Sequence, residues 1–209
     1  MSGAVLETLT FCVAGPTDNA GTLVPTVIAD GCLNSADPED PLPAPTLKLG
    51  KTTGTVTALD SSEVSTGSLY SQISTNAAAG AIVNLKSNAS GCGGLLRAGS
   101  GPGSSSNCDI APALTSNITA GQAKFGARFN PTNPALVGMN SYNAATYTLN
   151  YASDQNTGVT STYGDPFFST DDAPVSNENL EIIFGASVAP NTPAGLYSAE
   201  LSLIATGKF

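Results

Sequence analysis

The stretch NTPAGLYSAELSLIATGKF, residues 191–209, decides how the rest of the chain is read. Pro193-Ala194-Gly195 is turn chemistry, because proline presets φ and glycine accepts conformations other residues avoid. Beyond it, Tyr197, Ala199, Leu201, Leu203 and Ala205 recur at every second position, with Ser198, Glu200 and Ser202 between them. A period of two is that of a strand with one buried face. The spacing predicts a core strand that finishes at Phe209.

The same signal recurs upstream. Residues 5–13 place Val5, Leu9, Phe11 and Val13 on one face, although Glu7 interrupts it and Leu6 lies opposite. After the turn AGPTDNAG (14–21), residues 22–29 read as a strand demoted towards an edge by Pro25. Residues 46–50 and 55–59 read as short strands on either side of KTTG (51–54), and 68–75 with 81–87 read as a hairpin across NAAAG. Residues 123–129 put Phe125, Ala127 and Phe129 inward and Lys124 and Arg128 outward. Residues 145–151 and 179–188 alternate likewise, the latter grouping Leu180, Ile182, Phe184 and Val188. Only a turn or two near residues 118–125 resembles a helix. About ten short strands with long loops predict an all-β fold, an antiparallel β-sandwich in one domain over residues 1–209.

Two excursions leave this pattern. Residues 33–46 contain four prolines together with Asp37, Glu39 and Asp40, so they form a loop rather than a ladder. Residues 88–110 are rich in glycine and serine, and Cys92 and Cys108 bracket most of them. No G-K-[ST] follows those glycines, so a phosphate-binding loop is not indicated.

Composition narrows the function. Lys plus Arg number 7 and Asp plus Glu 16, a net charge of −9, which disfavours nucleic acid and anionic membranes as partners. Histidine is absent, which removes the commonest general base and metal ligand and with them the Ser-His-Asp and Cys-His arrangements. An enzyme is therefore not expected, although a carboxylate pair of the glycosidase kind is still chemically open. No apolar run has the length of a membrane span. The opening residues lack a basic region and apolar core, so no secretion signal is read in this chain. Met1 is then an expression start or a numbering choice after signal removal, with a cytosolic chain as the alternative.

The four cysteines allow three connectivities. The short-loop choice is Cys12–Cys32 and Cys92–Cys108, each closing a turn-rich excursion, with four buried thiols as the alternative. Disulfides imply an extracellular or cell-surface location. Asp165, Asp171, Asp172 and Glu178 lie close enough in sequence to offer three or four oxygens to a calcium ion, the one cofactor considered, although the EF-hand order is missing. Asn88-Ala-Ser90 and Asn117-Ile-Thr119 are glycosylation sequons. Tyr70, Tyr142, Tyr147, Tyr151 and Tyr163 are the tyrosines available to stack on a sugar, and tryptophan is absent.

Residues 9–15, 64–87 and 190–205 together resemble secreted prokaryotic β-sandwich surface proteins: pilin-like and spore-coat-like domains, and fibre-forming matrix proteins similar to TasA and camelysin. The resemblance implies a jelly-roll or Ig-like sandwich and a non-catalytic structural role in a filament, pilus-like fibre or surface array. It also implies copies of the same chain as partners, joined when a strand of one fills a gap in the sheet of another. The acidic proline-rich loop departs from these patterns, and the missing tryptophan argues against a WxL-type wall-binding domain. The segment to be donated is residues 2–13, with Val5, Leu6, Leu9, Phe11 and Val13 at the subunit interface. Its alternative is pairing within its own sheet. A different class of function on the same scaffold is an adhesin or carbohydrate-binding module that takes surface glycans.

Overall fold

The structure is a computed structural model. It describes residues 6–16, 28–53, 56–88, 92–99, 108–113, 117–131, 137–138, 165–170 and 172–208. Among these the chain is all-β, with no helix. Its strands are β1 (Leu9–Ala14), β2 (Ile28–Ala29), β3 (Leu33–Asn34), β4 (Lys51–Thr53), β5 (Val56–Ala58), β6 (Ser65–Thr75), β7 (Ala81–Ser87) and β8 (Leu96–Arg97). They continue with β9 (Ala111–Pro112), β10 (Lys124–Pro131), β11 (Val137–Gly138), β12 (Asp165–Ser169), β13 (Val175–Ser187), β14 (Tyr197–Ser198) and β15 (Leu201–Gly207). The order β1-β6-β13-β10-β9 makes a five-stranded sheet and β11-β12-β7-β15 a four-stranded one. Three two-stranded ribbons, β2–β3, β4–β5 and β8–β14, complete the set.

β6 and β13 form the spine because they are long and alternate cleanly. Leu69 and Ile73 of β6 and Leu180, Ile182, Phe184 and Ala186 of β13 all point inward and are buried. Phe125 of β10 stacks on Phe184 with ring centroids 6.0 Å apart. From the second sheet Ala81, Val83 and Leu85 of β7 join the same cluster, with Phe167 and Phe168 of β12. Two successive phenylalanines are both buried because β12 shifts register between Pro166 and Phe168, and such a bulge re-aims one side chain. Residues 197, 199, 201, 203 and 205, the alternation that opens the sequence reading, all pack on this cluster. They do so as two strands, since β14 pairs with β8 and β15 with β7. The Tyr197 hydroxyl donates back to the Pro193 carbonyl and fixes the turn that feeds them.

The outer face of β6 and β13 is polar, and its side chains bond across the ladder. Ser68 Oγ donates to Glu181 at 2.6 Å, Gln72 Nε2 to Asn179 at 3.0 Å and Ser74 Oγ to Asn177 at 3.0 Å. Residues 28–32, the described end of the excursion closed by the first cystine (called the first excursion from here on), lie over part of this face. That cystine joins Cys12 in β1 to Cys32. Ile28, 2 % exposed, packs with Ala14, Cys12, Leu42 and Tyr70 in a second, smaller cluster. Gln72 is buried beneath and satisfied on both ends: Oε1 accepts from the Cys32 N–H at 2.8 Å, and Nε2 also donates to the Ala29 carbonyl at 3.1 Å. β1 is thus packed on both faces, with Phe11 and Val13 against the main core and Cys12 and Ala14 against the small cluster. Leu6 and Glu7, which interrupt the expected alternation, precede β1 and are exposed.

Both expected cystine pairs are formed, and Cys92–Cys108 closes the second excursion. Ser87 Oγ donates to the Cys92 carbonyl at 2.6 Å, and Leu95 and Ile110 exchange backbone hydrogen bonds. β8 follows and pairs with β14.

Several expectations are corrected. Residues 68–75 and 81–87 are not a hairpin, since β6 and β7 belong to different sheets. Both edges of β6 are occupied, by β1 and β13, so the 76–80 link crosses to the other sheet instead. Gly80 makes that crossing, with φ 74°, and a Cβ there would lie 2.1 Å from Thr170 Oγ1. The Thr170 hydroxyl accepts from the Ala81 N–H at 2.9 Å, which anchors the start of β7. Residues 46–50 are not a strand; Leu47 and Leu49 cover the core beside Gly67. The strand is Lys51–Thr53, within the expected turn, and it pairs with β5. Of the strand expected at 22–29, the described part is Ile28–Ala29. The strand expected at 145–151 and the side chain of Phe129 lie outside the described residues.

Candidate functional site

The described part of the proposed donor segment pairs within its own chain. β1 runs antiparallel to β6 from Leu9 opposite Thr75 to Ala14 opposite Tyr70. Asn76 prolongs that pairing. Its Oδ1 accepts from the Thr8 N–H at 2.6 Å, its Nδ2 donates to the Leu6 carbonyl at 2.9 Å and its own N–H reaches the Thr8 carbonyl at 3.3 Å. Of the five nominated interface residues, Phe11 and Val13 pack on the core, and Leu6 and Leu9 are 81 % and 37 % exposed. Val5 lies outside the described residues. Because Cys12 is bonded to Cys32, residues 2–13 do not move alone: an exchanged β1 carries its excursion with it.

β15, which β1 approaches, is the outermost strand of the four-stranded sheet. It pairs with β7 without a register shift, from Leu201 opposite Ser87 to Gly207 opposite Ala81. Its residues are Leu, Ser, Leu, Ile, Ala, Thr and Gly, with no charge and no proline. Among the described residues no strand pairs with its other edge. Exposed edges are usually blunted by lysine, proline, a bulge or brevity, and this strand has none of those devices. The sequence shows the alternation but cannot show that the strand is outermost, which depends on β7 having β12 as its other neighbour.

The acidic residues do not converge among the described side chains. Asp172, at φ 55°, is ion-paired with Lys208, while Glu178 sits in β13 of the other sheet. Asp171 and the side chain of Asp165 lie outside the described residues. No three described acidic or thiol side chains are grouped as for a metal ion. Asp37 closes a local turn by accepting from the Glu39 N–H at 3.1 Å.

Asn88 is exposed, its Nδ2 donating to Glu200 at 3.2 Å and its Oδ1 accepting from Ser202 at 3.1 Å. Asn117 is exposed as well. Tyr70 is half-buried in the small cluster, where burial and then the Glu181 carboxylate push its hydroxyl above the ordinary tyrosine value. Tyr142, Tyr147, Tyr151 and Tyr163 lie outside the described residues.

Sequence reasoning also missed an open cleft of about 370 Å³ beside β4, with Lys51 and Asp60 among its lining residues. The Asp60 carboxylate is held below its ordinary value by the Ser62 N–H and hydroxyl, with Lys51 adding to the effect. The cleft offers hydroxyls, one ammonium and one carboxylate. Among the described residues no helix is long and apolar enough to cross a membrane. No protein family, curated protein or solved structure matches the chain.

Proposed function

We propose that the chain is a non-catalytic structural subunit of an extracellular filament, pilus-like fibre or surface array. In this reading its two main sheets face one another as the layers of an antiparallel sandwich, and copies join by β-strand complementation. The observation that carries it is the uncharged, uninterrupted edge of β15, which offers main-chain groups to an added strand. Two disulfides that clip the long excursions to the body suit an oxidising, extracellular setting. Electron microscopy of the purified chain tests the proposal. Ordered polymers are expected, and monodisperse particles under every assembly condition overturn it. Glycan-array binding by such particles would put a carbohydrate-binding module in its place.

A further inference from the structure

The edge of β15 is self-complementary. In an antiparallel ladder, alternate residues turn their N–H and C=O groups to opposite sides of the strand. The Asn88 N–H donates to the Glu200 carbonyl at 2.9 Å and the Lys208 N–H donates to the Gly80 carbonyl at 2.8 Å. The register is unbroken between them, so residues 200, 202, 204, 206 and 208 face β7. Leu201, Leu203, Ala205 and Gly207 therefore direct their N–H and C=O groups to the open edge.

We propose that this edge pairs with the same edge of a second copy, antiparallel about a two-fold axis through Ile204. With Ile204 opposite its own counterpart, Leu203 meets Ala205 and Leu201 meets Gly207, each twice. Every outward-facing main-chain group then has a partner. Ser202 falls opposite Thr206, a pairing that hydrogen-bonds well across strands. Glu200 falls opposite Lys208 at both ends, and these two are the charged residues that flank the strand. Registers displaced by two residues lose one outward pair and part that charge match. Glu200 already accepts from Asn88, and Lys208 already pairs with Asp172. A carboxylate and an ammonium both have capacity for a further partner. β1 approaches β15, but its own ladder is with β6. The contact is isologous and closes as a dimer, so it competes with a donated strand for the same edge, and longer assemblies of such dimers use another contact.

Sedimentation of the full chain is expected to show a reversible monomer–dimer equilibrium. Ala205→Pro removes an outward N–H and leaves the ladder with β7 intact, so a folded variant dimerises at least about tenfold more weakly. Glu200→Lys weakens the dimer, and Glu200→Lys with Lys208→Glu restores it; this pair carries the test if the proline variant fails to fold. Register is read by crosslinking, since the native cysteines are already paired. Oxidised Ile204→Cys links two copies, because facing non-hydrogen-bonded residues have Cα atoms about 4.5 Å apart. Ser202→Cys does not, being displaced from its own counterpart by roughly 13 Å along the strand. A monomer at all concentrations overturns the proposal, as does a folded proline variant that dimerises like the native chain. Equal crosslinking at positions 202 and 204 overturns it too. Polymers without this dimer would remove this contact alone, and a dimer without polymers would remove the filament reading alone.

Discussion

The two disulfide-closed excursions differ in how they are held to the body. The first lies against the outer face of the five-stranded sheet, buries Ile28 and is met from below by the Gln72 amide. The second is seated in the main core: Leu95 and Ile110 are buried there and bond backbone to backbone, and the Gly94 N–H reaches Cys108 Sγ at 3.0 Å. Their loops separate the cysteines by 20 and 16 residues. Chain entropy alone would make the two cystines nearly equal, at about 3 kcal/mol each with a difference of only about 0.2 kcal/mol. Any larger inequality has to come from what each excursion buries.

Removal of each cystine should expose that inequality. Cys12→Ala with Cys32→Ala releases the cover over Ile28 and Gln72, adding about 2 kcal/mol to the loop contribution for a total near 5 kcal/mol. Cys92→Ala with Cys108→Ala should cost about 3 kcal/mol, because Leu95 and Ile110 keep their own backbone bonds and their place in the main core. Denaturant unfolding of the two variants measures both, and equal losses would mean that the first excursion adds no packing of its own.

Glycine substitutions should reverse the ranking. A Cβ at Gly94 would sit 2.0 Å from the Ile110 carbonyl oxygen, so Gly94→Ala forces backbone apart and should cost about 3 kcal/mol. At Gly31, in the first excursion, φ is 79° but nothing lies within 4 Å of the added carbon. Gly31→Ala then meets only left-handed backbone strain, about 1 kcal/mol. Similar losses at the two positions would contradict the contrast between side-chain and backbone packing.

Between these in size stands Gln72→Ala, at about 2 kcal/mol. It strands the Cys32 N–H and the Ala29 carbonyl beneath the excursion, and orphaned polar groups cost more than a lost bond. If the Cys12–Cys32 pair has already been removed, the same substitution should cost much less, because the groups it strands are then free to reach water. Double-mutant unfolding measures that coupling.

Gln72 also shows where sequence reading reaches its limit. Alternation is local, so residues 68–75, 81–87 and 180–186 could be assigned inward and outward faces from spacing alone. Gln72 falls on an outward position between Ser71 and Ile73 and therefore reads as solvated. Nothing in the spacing tells that a segment 40 residues away covers it. The hairpin expected across 76–80 failed for a related reason. Neighbouring strands in sequence pair only if an edge is free, and β1 and β13 occupy both edges of β6. The cystine pairs were legible because short loops are the local choice. The open edge of β15 was half legible: its lack of charge is in the residues, and its position in the sheet is not. Asp172 and Glu178 are near in sequence yet lie towards different sheets, so proximity along the chain misrepresented that cluster.

The smallest expected effect is on the pH dependence of stability. Tyr70 belongs to the small cluster under the first excursion, and its hydroxyl is raised by burial and then by Glu181. A group raised in the folded state holds its proton more tightly there than in the unfolded chain. Its contribution to stability is complete below the unfolded value of about 10 and is lost as pH rises through the folded one. The native chain should therefore lose an increment of stability on the alkaline side that Tyr70→Phe does not lose. Releasing the Cys12–Cys32 clip lets water reach the ring and should shrink the increment, since burial is its first cause. Releasing Cys92–Cys108 should leave it unchanged, because none of that excursion's described residues belongs to the small cluster. Unfolding free energies of the native chain, Tyr70→Phe and the two cystine variants across pH 9 to 11 check this (a window of about one unit on either side of the unfolded value). Equal alkaline slopes in the native chain and both cystine variants would show that the first excursion does not control the burial of Tyr70.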